Sequence, residues 1–151
     1  MSVLPRANPL LAFAGEWQGQ ETIHPSKWGP AGVAQVRVAW HEDLDGKAVI
    51  HTYAAERDGK PWLSAHAIFT FDPVDGGCNL FWFDSLGFVP AQPATGHQDG
   101  STLSFVRVSP RGQTRHLYTL GEDGAYTLQL ATSFDQGASW VPVMDGRYTR
   151  A

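Results

Sequence analysis

The segment AYTLQLATSFDQGASW, Ala125 to Trp140, carries the two signals that decide the fold. Its first half alternates. Tyr126, Leu128 and Leu130 oppose Thr127, Gln129 and Ala131, and residues two apart on a strand share a face, so the first set faces a core. Its second half is a turn. Asp135, Gln136 and Gly137 suit a β-hairpin, with Asp bonding local backbone amides and Gly taking a positive φ. The segment therefore reads as a half-buried strand that ends in a hairpin.

The same grammar extends in both directions. Turn signals stand at Asp45-Gly46, Asp58-Gly59, Asp75-Gly76-Gly77, Asp99-Gly100, Pro110-Arg111-Gly112, Asp123-Gly124, Gln136-Gly137 and Asp145-Gly146. Between them lie runs rich in β-branched and aromatic residues, such as VAQVRVAW, AVIHTYAAE, WLSAHAIFTF, NLFWF, TLSFVRV and RHLYTL. Short strands broken by turns roughly every 8 to 12 residues predict an all-β antiparallel barrel or sandwich of about ten strands, connected mainly up and down. No amphipathic helix interrupts them, apart from a short helical turn within residues 8–14. A chain of 151 residues with no linker or repeat is one domain over 1–151.

Composition narrows the function classes. With 42% hydrophobic and 17% charged residues the chain is a compact folded protein. A net charge of -4 and scattered cations leave no basic face for nucleic acid. No apolar run is long enough to span a membrane, and the LLAFA patch near the N-terminus is interrupted by prolines, so it reads as mature protein. One cysteine, Cys78, can form no internal disulfide, and a cytoplasmic location is expected. The stretch SFDQGASW also fits the Asp-box pattern S-x-D-x-G-x-[ST]-W of sialidase propellers. Such propellers need about six blades with repeated copies, which this chain lacks, so the hairpin reading is preferred.

Several strands are apolar or mixed on both faces. WLSAHAIFTF sets Trp62, Ser64, His66 and Ile68 against Leu63, Ala65, Ala67 and Phe69, while RHLYTL places His116, Tyr118 and Leu120 on one, partly polar, wall. A barrel of eight or more strands that encloses a ligand cavity accounts for this.

GEWQG, Gly15 to Gly19, resembles the G-x-W signature of calycins, the lipocalin and fatty-acid-binding barrels. Together with ETIHPSKWGPAG, AAERDGKPW, HAIFTFDP, FWFDSLG and SFDQGASWVPVMDGRYTR, it resembles the bacterial lipocalin-like barrels of domain-of-unknown-function family 1579 over nearly the whole chain. The resemblance implies a closed calycin-like barrel with no established common activity. It also implies that Trp17 packs at the closed end beneath an arginine of the last strand, Arg150 in preference to Arg147.

Candidate ligand-binding residues are the polar and aromatic groups near the expected lumen. Trp82 and Asp84, two apart in FWFDSLG, project to one face, and an acid beside large aromatics is costly to bury unless paired or contacting a ligand. The competing reading is that Asp84 and Ser85 cap the following turn. His66 shares that face in one strand register and not in the other. His24 and Trp28 stand in a Pro- and Gly-rich loop expected at the open mouth, as binding residues or as packing of a lid. His116 and Tyr118 complete the set, while His51 reads as a hydrogen-bonded wall residue. No spacing of His, Cys or carboxylates announces a metal, and no nucleophile elbow, phosphate loop or dinucleotide fingerprint announces an enzyme.

The expected function is a barrel that binds a small, largely apolar or aromatic molecule, with no cofactor and no metal. Two alternatives stand beside it. One is haem chemistry as in nitrobindin-like barrels, although the alternating glycines of their opening are missing after GEWQG. The other is a scaffold filled by its own aromatics, whose exposed strands form a homodimer.

Overall fold

The computed structural model describes residues 7–26, 29–87 and 90–151. The strands are β1 (Gly15–Ile23), β2 (Gly32–Asp43), β3 (Ala48–Arg57), β4 (Lys60–Phe71), β5 (Cys78–Asp84), β6 (Ala94–Asp99), β7 (Thr102–Ser109), β8 (Gly112–Leu120), β9 (Tyr126–Ser133) and β10 (Val141–Arg150). Each pairs antiparallel with its chain neighbours, and β1 pairs β10 as well as β2, so the sheet closes into an up-and-down barrel. Closure removes the exposed strand edges that an open sheet would present.

Most of the turn signals sit where hairpins form. Asp58 and Gln136 adopt φ of 52° and 62°, each followed by a glycine at positive φ, as tight reversals require. Asp145-Gly146 departs from the expectation, because both lie inside β10. Gly146 serves close approach there: a Cβ at this position would overlap the Tyr148 hydroxyl.

A 3-10 turn, Pro9–Phe13, closes one end. Asn8 begins it, accepting from the Leu10 amide at 2.9 Å and donating to the Gly46 carbonyl at 2.7 Å, which ties the turn to the β2–β3 connection. Proline suits this first position because its missing amide would have no partner. The turn drives Leu10 and Phe13 into the barrel, where Phe13 stacks on Trp40 at 5.0 Å and meets Tyr126 edge-on at 5.3 Å. Trp17, Phe69, Phe105 and Tyr118 complete an aromatic plug in the closed half.

The plug is sealed by the pair that the calycin resemblance implies. Arg150, the Cα partner of Trp17 across β1 and β10, holds its guanidinium 4.1 Å from the indole centroid. It also donates to the Ala14 carbonyl, while the indole nitrogen donates to Phe13 at 2.8 Å. Arg147 instead pairs with Asp123 on the outside, at 2.9 Å.

Register decides which residues face inward. In the β4–β5 pair, Ala65 opposes Asp84, His66 opposes Phe83 and Ala67 opposes Trp82. The inner residues of β4 are thus Ala65, Ala67 and Phe69, all buried. His66 is on the exposed outer face with Phe83, so it is withdrawn from the set that shares a lumen with Asp84.

Candidate functional site

Aromatic packing fills the closed half of the barrel and leaves the open half hollow. The lumen there has a volume of about 420 Å³ and is walled by aliphatic and aromatic side chains, among them Ile23, Leu63, Trp82, Leu128, Leu130 and Met144. Its size is that of a small-molecule pocket. A wider concavity on the outer face, bordered by polar residues such as Gln18, Gln35, Arg37 and Gln129, is open to solvent. The lumen is the better site on physical grounds, since its mainly apolar walls can bury the apolar surface of what enters it.

Three polar groups of the lumen wall meet in one cluster. Glu21 on β1 is almost fully buried. Its Oε1 accepts from the Tyr53 hydroxyl and its Oε2 from the Tyr148 hydroxyl, both at 2.5 Å. Burial holds the Glu21 carboxyl above its ordinary range, against the pull of the Tyr148 and Tyr53 hydrogen bonds. The phenols of Tyr53 and Tyr148 are raised in turn, first by burial and then by the nearby Glu21 charge.

His51, two residues before Tyr53 on the inner face of β3, is 3% exposed. Its ring meets Trp40 edge-on at 4.5 Å and lies 6.2 Å from Trp82. Its Nδ1 is buried without a hydrogen-bond partner. Burial pushes its pKa down to about 3, so the imidazole is neutral at physiological pH. An unsatisfied buried polar atom calls for an explanation, because leaving it unpaired costs about 1 to 3 kcal/mol.

The expected residues divide as follows. Trp82, Asp84, His116 and Tyr118 all line the lumen. Asp84 takes the turn-cap role and also holds Trp82: one oxygen accepts from the Leu86 amide, and the other accepts from the Trp82 indole at 3.0 Å and fixes that ring. His116 stacks parallel to Tyr118, with centroids 6.4 Å apart. Burial, with the Arg107 charge adding to it, lowers its pKa to about 4. His24 is held outside, where its Nε2 lies 2.6 Å from Asp145; Asp145 points away from the lumen because its neighbours Met144 and Gly146 point in. Trp28 lies outside the described residues.

Sequence reasoning missed Glu21, Tyr53, Tyr148 and the open valence of His51. One signal for Glu21 was available, since in GEWQGQETI it is four residues from Trp17 and therefore on the same inward face. Among the described residues, no group of three or more His, Cys, Asp or Glu is arranged to hold a metal ion, and no helix is long and apolar enough to cross a membrane.

A ten-stranded closed barrel, sealed by a G-x-W tryptophan beneath an arginine and hollow at the other end, defines a calycin-like protein. Within that class the chain belongs to the family described as "Protein of unknown function (DUF1579)", whose model matches residues 6–150. Among solved structures it is similar to Rv2717c from M. tuberculosis, with a TM-score of 0.72 and 15% identity over 97% of this chain and 99% of that one. It is also similar to the S-type phycobiliprotein lyase CPES from Guillardia theta, with a TM-score of 0.65 and 8% identity over 94% and 90% of the two chains. At these identities the likeness is one of fold. No curated protein matches.

Proposed function

We propose that this protein binds a small, largely apolar or aromatic molecule in the lumen, with Trp82, Tyr118 and His116 contributing to the wall around it. The observation that carries the reading is the space of about 420 Å³ within the barrel, apolar over most of its lining yet bordered by buried polar groups. This is the make-up of a specific pocket: apolar walls supply most of the affinity and a few polar groups set orientation. A scaffold filled by its own side chains would leave no such space.

Native mass spectrometry of the purified protein, followed by titration with an environment-sensitive apolar dye, tests the reading. A co-purified small molecule, or saturable dye binding at one site that the Trp82→Ala variant weakens, is the expected result. Dye binding that never saturates and is unchanged in the variant would overturn it. A sharp Soret band at one equivalent of ferric haem, lost in His116→Ala, would instead place the protein among haem binders.

A further inference from the structure

We propose that the lumen selects an organic cation, an aromatic or alkyl amine whose ammonium group is received by Glu21 within the cluster of Tyr53, Tyr148, Trp82 and His51. The inference rests on the lumen-binding reading above and adds the chemical class of the ligand.

Glu21 has no cationic partner among the described residues. Glu21 is 1% exposed, and its two hydrogen-bond donors are the neutral hydroxyls of Tyr53 and Tyr148. Among the described residues no Lys, Arg or His is hydrogen-bonded or ion-paired to it. Both Glu21 oxygens accept from a hydroxyl, the arrangement of an ionised acid, and neutral donors compensate only part of its lost hydration, so a cation beside it would stabilise the charge that burial disfavours. Among the described residues, the charged side chains bordering the lumen are Glu21, Asp84 and Arg107, and Arg107 stands on β7, four strands from β1 around the barrel by way of β10, β9 and β8. The two lumen histidines, His51 and His116, are neutral. A ligand ammonium is therefore the charge that the Glu21 wall lacks.

The His51 imidazole has an unpartnered Nδ1. His51 shares the inner face of β3 with Tyr53, and both rings pack near Trp82, at 6.2 and 5.5 Å between centroids. A neutral imidazole keeps one acceptor nitrogen. An ammonium carries up to three N–H donors, so it can engage Glu21 and still have a donor for the His51 Nδ1, which is buried and would come within reach by a turn of the ring toward the lumen.

The setting of Glu21 is aromatic. Tyr148, one of its donors, stacks on Tyr126 at 4.5 Å, and Tyr53, the other, meets Trp82 edge to face at 5.5 Å. Electron-rich ring faces around an acid attract cations and reject anions. A ligand carboxylate would meet the opposite: repulsion from Glu21 and from those same faces.

Three probes of one shape separate the possibilities: tryptamine, tryptophol and indolepropionate, which end in an ammonium, a hydroxyl and a carboxylate. Binding of each is measured by isothermal titration calorimetry at neutral pH, to the wild-type protein and to Glu21→Gln. The expected result is tryptamine bound at least about tenfold more tightly than tryptophol, as a charge-assisted hydrogen bond in a desolvated site implies, with indolepropionate weakest. In Glu21→Gln, which keeps the shape and one acceptor for the tyrosines, the preference for tryptamine over tryptophol should disappear while tryptophol binding is retained. Equal wild-type affinities for tryptamine and tryptophol would overturn the cation inference and leave lumen binding standing. Failure of all three probes, together with failure of the apolar dye, would overturn both. The wild-type comparison needs no variant, so a Glu21→Gln protein that does not fold leaves the test decisive.

Discussion

The Tyr148 hydroxyl reaches Glu21 diagonally across the β1–β10 pair, and both remaining corners of that square are glycines. Gly19 is the Cα partner of Tyr148, and Gly146 is the partner of Glu21. A Cβ at Gly19 would overlap the Tyr148 ring and the Arg147 carbonyl, and one at Gly146 would overlap the Tyr148 hydroxyl. The second glycine of GEWQG and the glycine of MDGRY therefore make room for one hydrogen bond at the centre of the lumen.

Gly146→Ala should displace the Tyr148 hydroxyl and leave one Glu21 oxygen short of a donor. Overpacking together with a lost buried hydrogen bond amounts to about 2 to 4 kcal/mol. Tyr148→Phe, which removes the hydrogen bond without the clash, should cost about 1 to 2 kcal/mol. Urea denaturation at neutral pH measures both, and the alanine variant should be the less stable of the two.

Acid should destabilise the barrel through its histidines. His51 and His116 titrate near 6.5 when unfolded, but only at about 3 and about 4 in the folded protein. Their contribution is complete above pH 6.5 and is lost as the pH falls from there toward 4 and 3, because the unfolded chain then binds the additional protons. Glu21 acts with opposite sign: its folded value lies above the unfolded 4.5, so stability falls as the pH rises from 4.5 through that raised value. His51→Phe should flatten the acid limb of a stability-against-pH curve. It should also raise stability at neutral pH by about 1 kcal/mol by removing the unpartnered nitrogen.

Removing Arg150 should loosen the closed end without touching the lumen. Arg150→Ala loses the contact over Trp17 and the hydrogen bond to the Ala14 carbonyl that ties the strand to the 3-10 turn. A loss of about 1 to 2 kcal/mol is expected in chemical denaturation, with dye affinity unchanged. Arg147→Ala, which breaks only an exposed pair with Asp123, should leave stability nearly unaltered.

The Asp135 carboxylate organises the hairpin between β9 and β10. It accepts from the Ser139 amide and hydroxyl at 2.9 and 2.5 Å and from the Ser133 hydroxyl at 2.8 Å, which hold its pKa down at about 2. Asp135→Ala should lower the Tm modestly while ligand binding survives. The difference from wild type should vanish as the pH falls from 3.8 toward 2, where the native carboxylate is also protonated.

Binding should separate inner from outer residues. Trp82→Ala is expected to weaken a bound probe by about 1 to 3 kcal/mol through lost aromatic packing, and Asp84→Asn by less, because the amide still accepts from the indole. His66→Ala, on the outer face, should leave the affinity unchanged. Fluorescence titration of the three variants with one apolar probe measures the order.

Local sequence determined the strands, the turns and the closed end. Alternation in AYTLQLATSF places Tyr126, Leu128 and Leu130 inside because side chains on a strand repeat every second residue, a property of the backbone that needs no partner strand. Asp58-Gly59 and Gln136-Gly137 fix reversals because positive φ is a local preference. The Trp17–Arg150 seal was legible through the calycin resemblance. Tertiary structure decided what strand pairing alone can set. The pairing of β4 with β5 sets His66 opposite Phe83 on the outer face, an offset fixed by the turn between the strands and by the burial of Ala65, Ala67 and Phe69. Asp145-Gly146 has the residues of a turn, yet strand pairing with β1 and the room Tyr148 requires keep it extended. The polar centre of the lumen was hidden for the same reason. Glu21, Tyr53 and Tyr148 are far apart in sequence, and their meeting depends on β1 pairing with both β2 and β10 at once, which only the closed barrel provides.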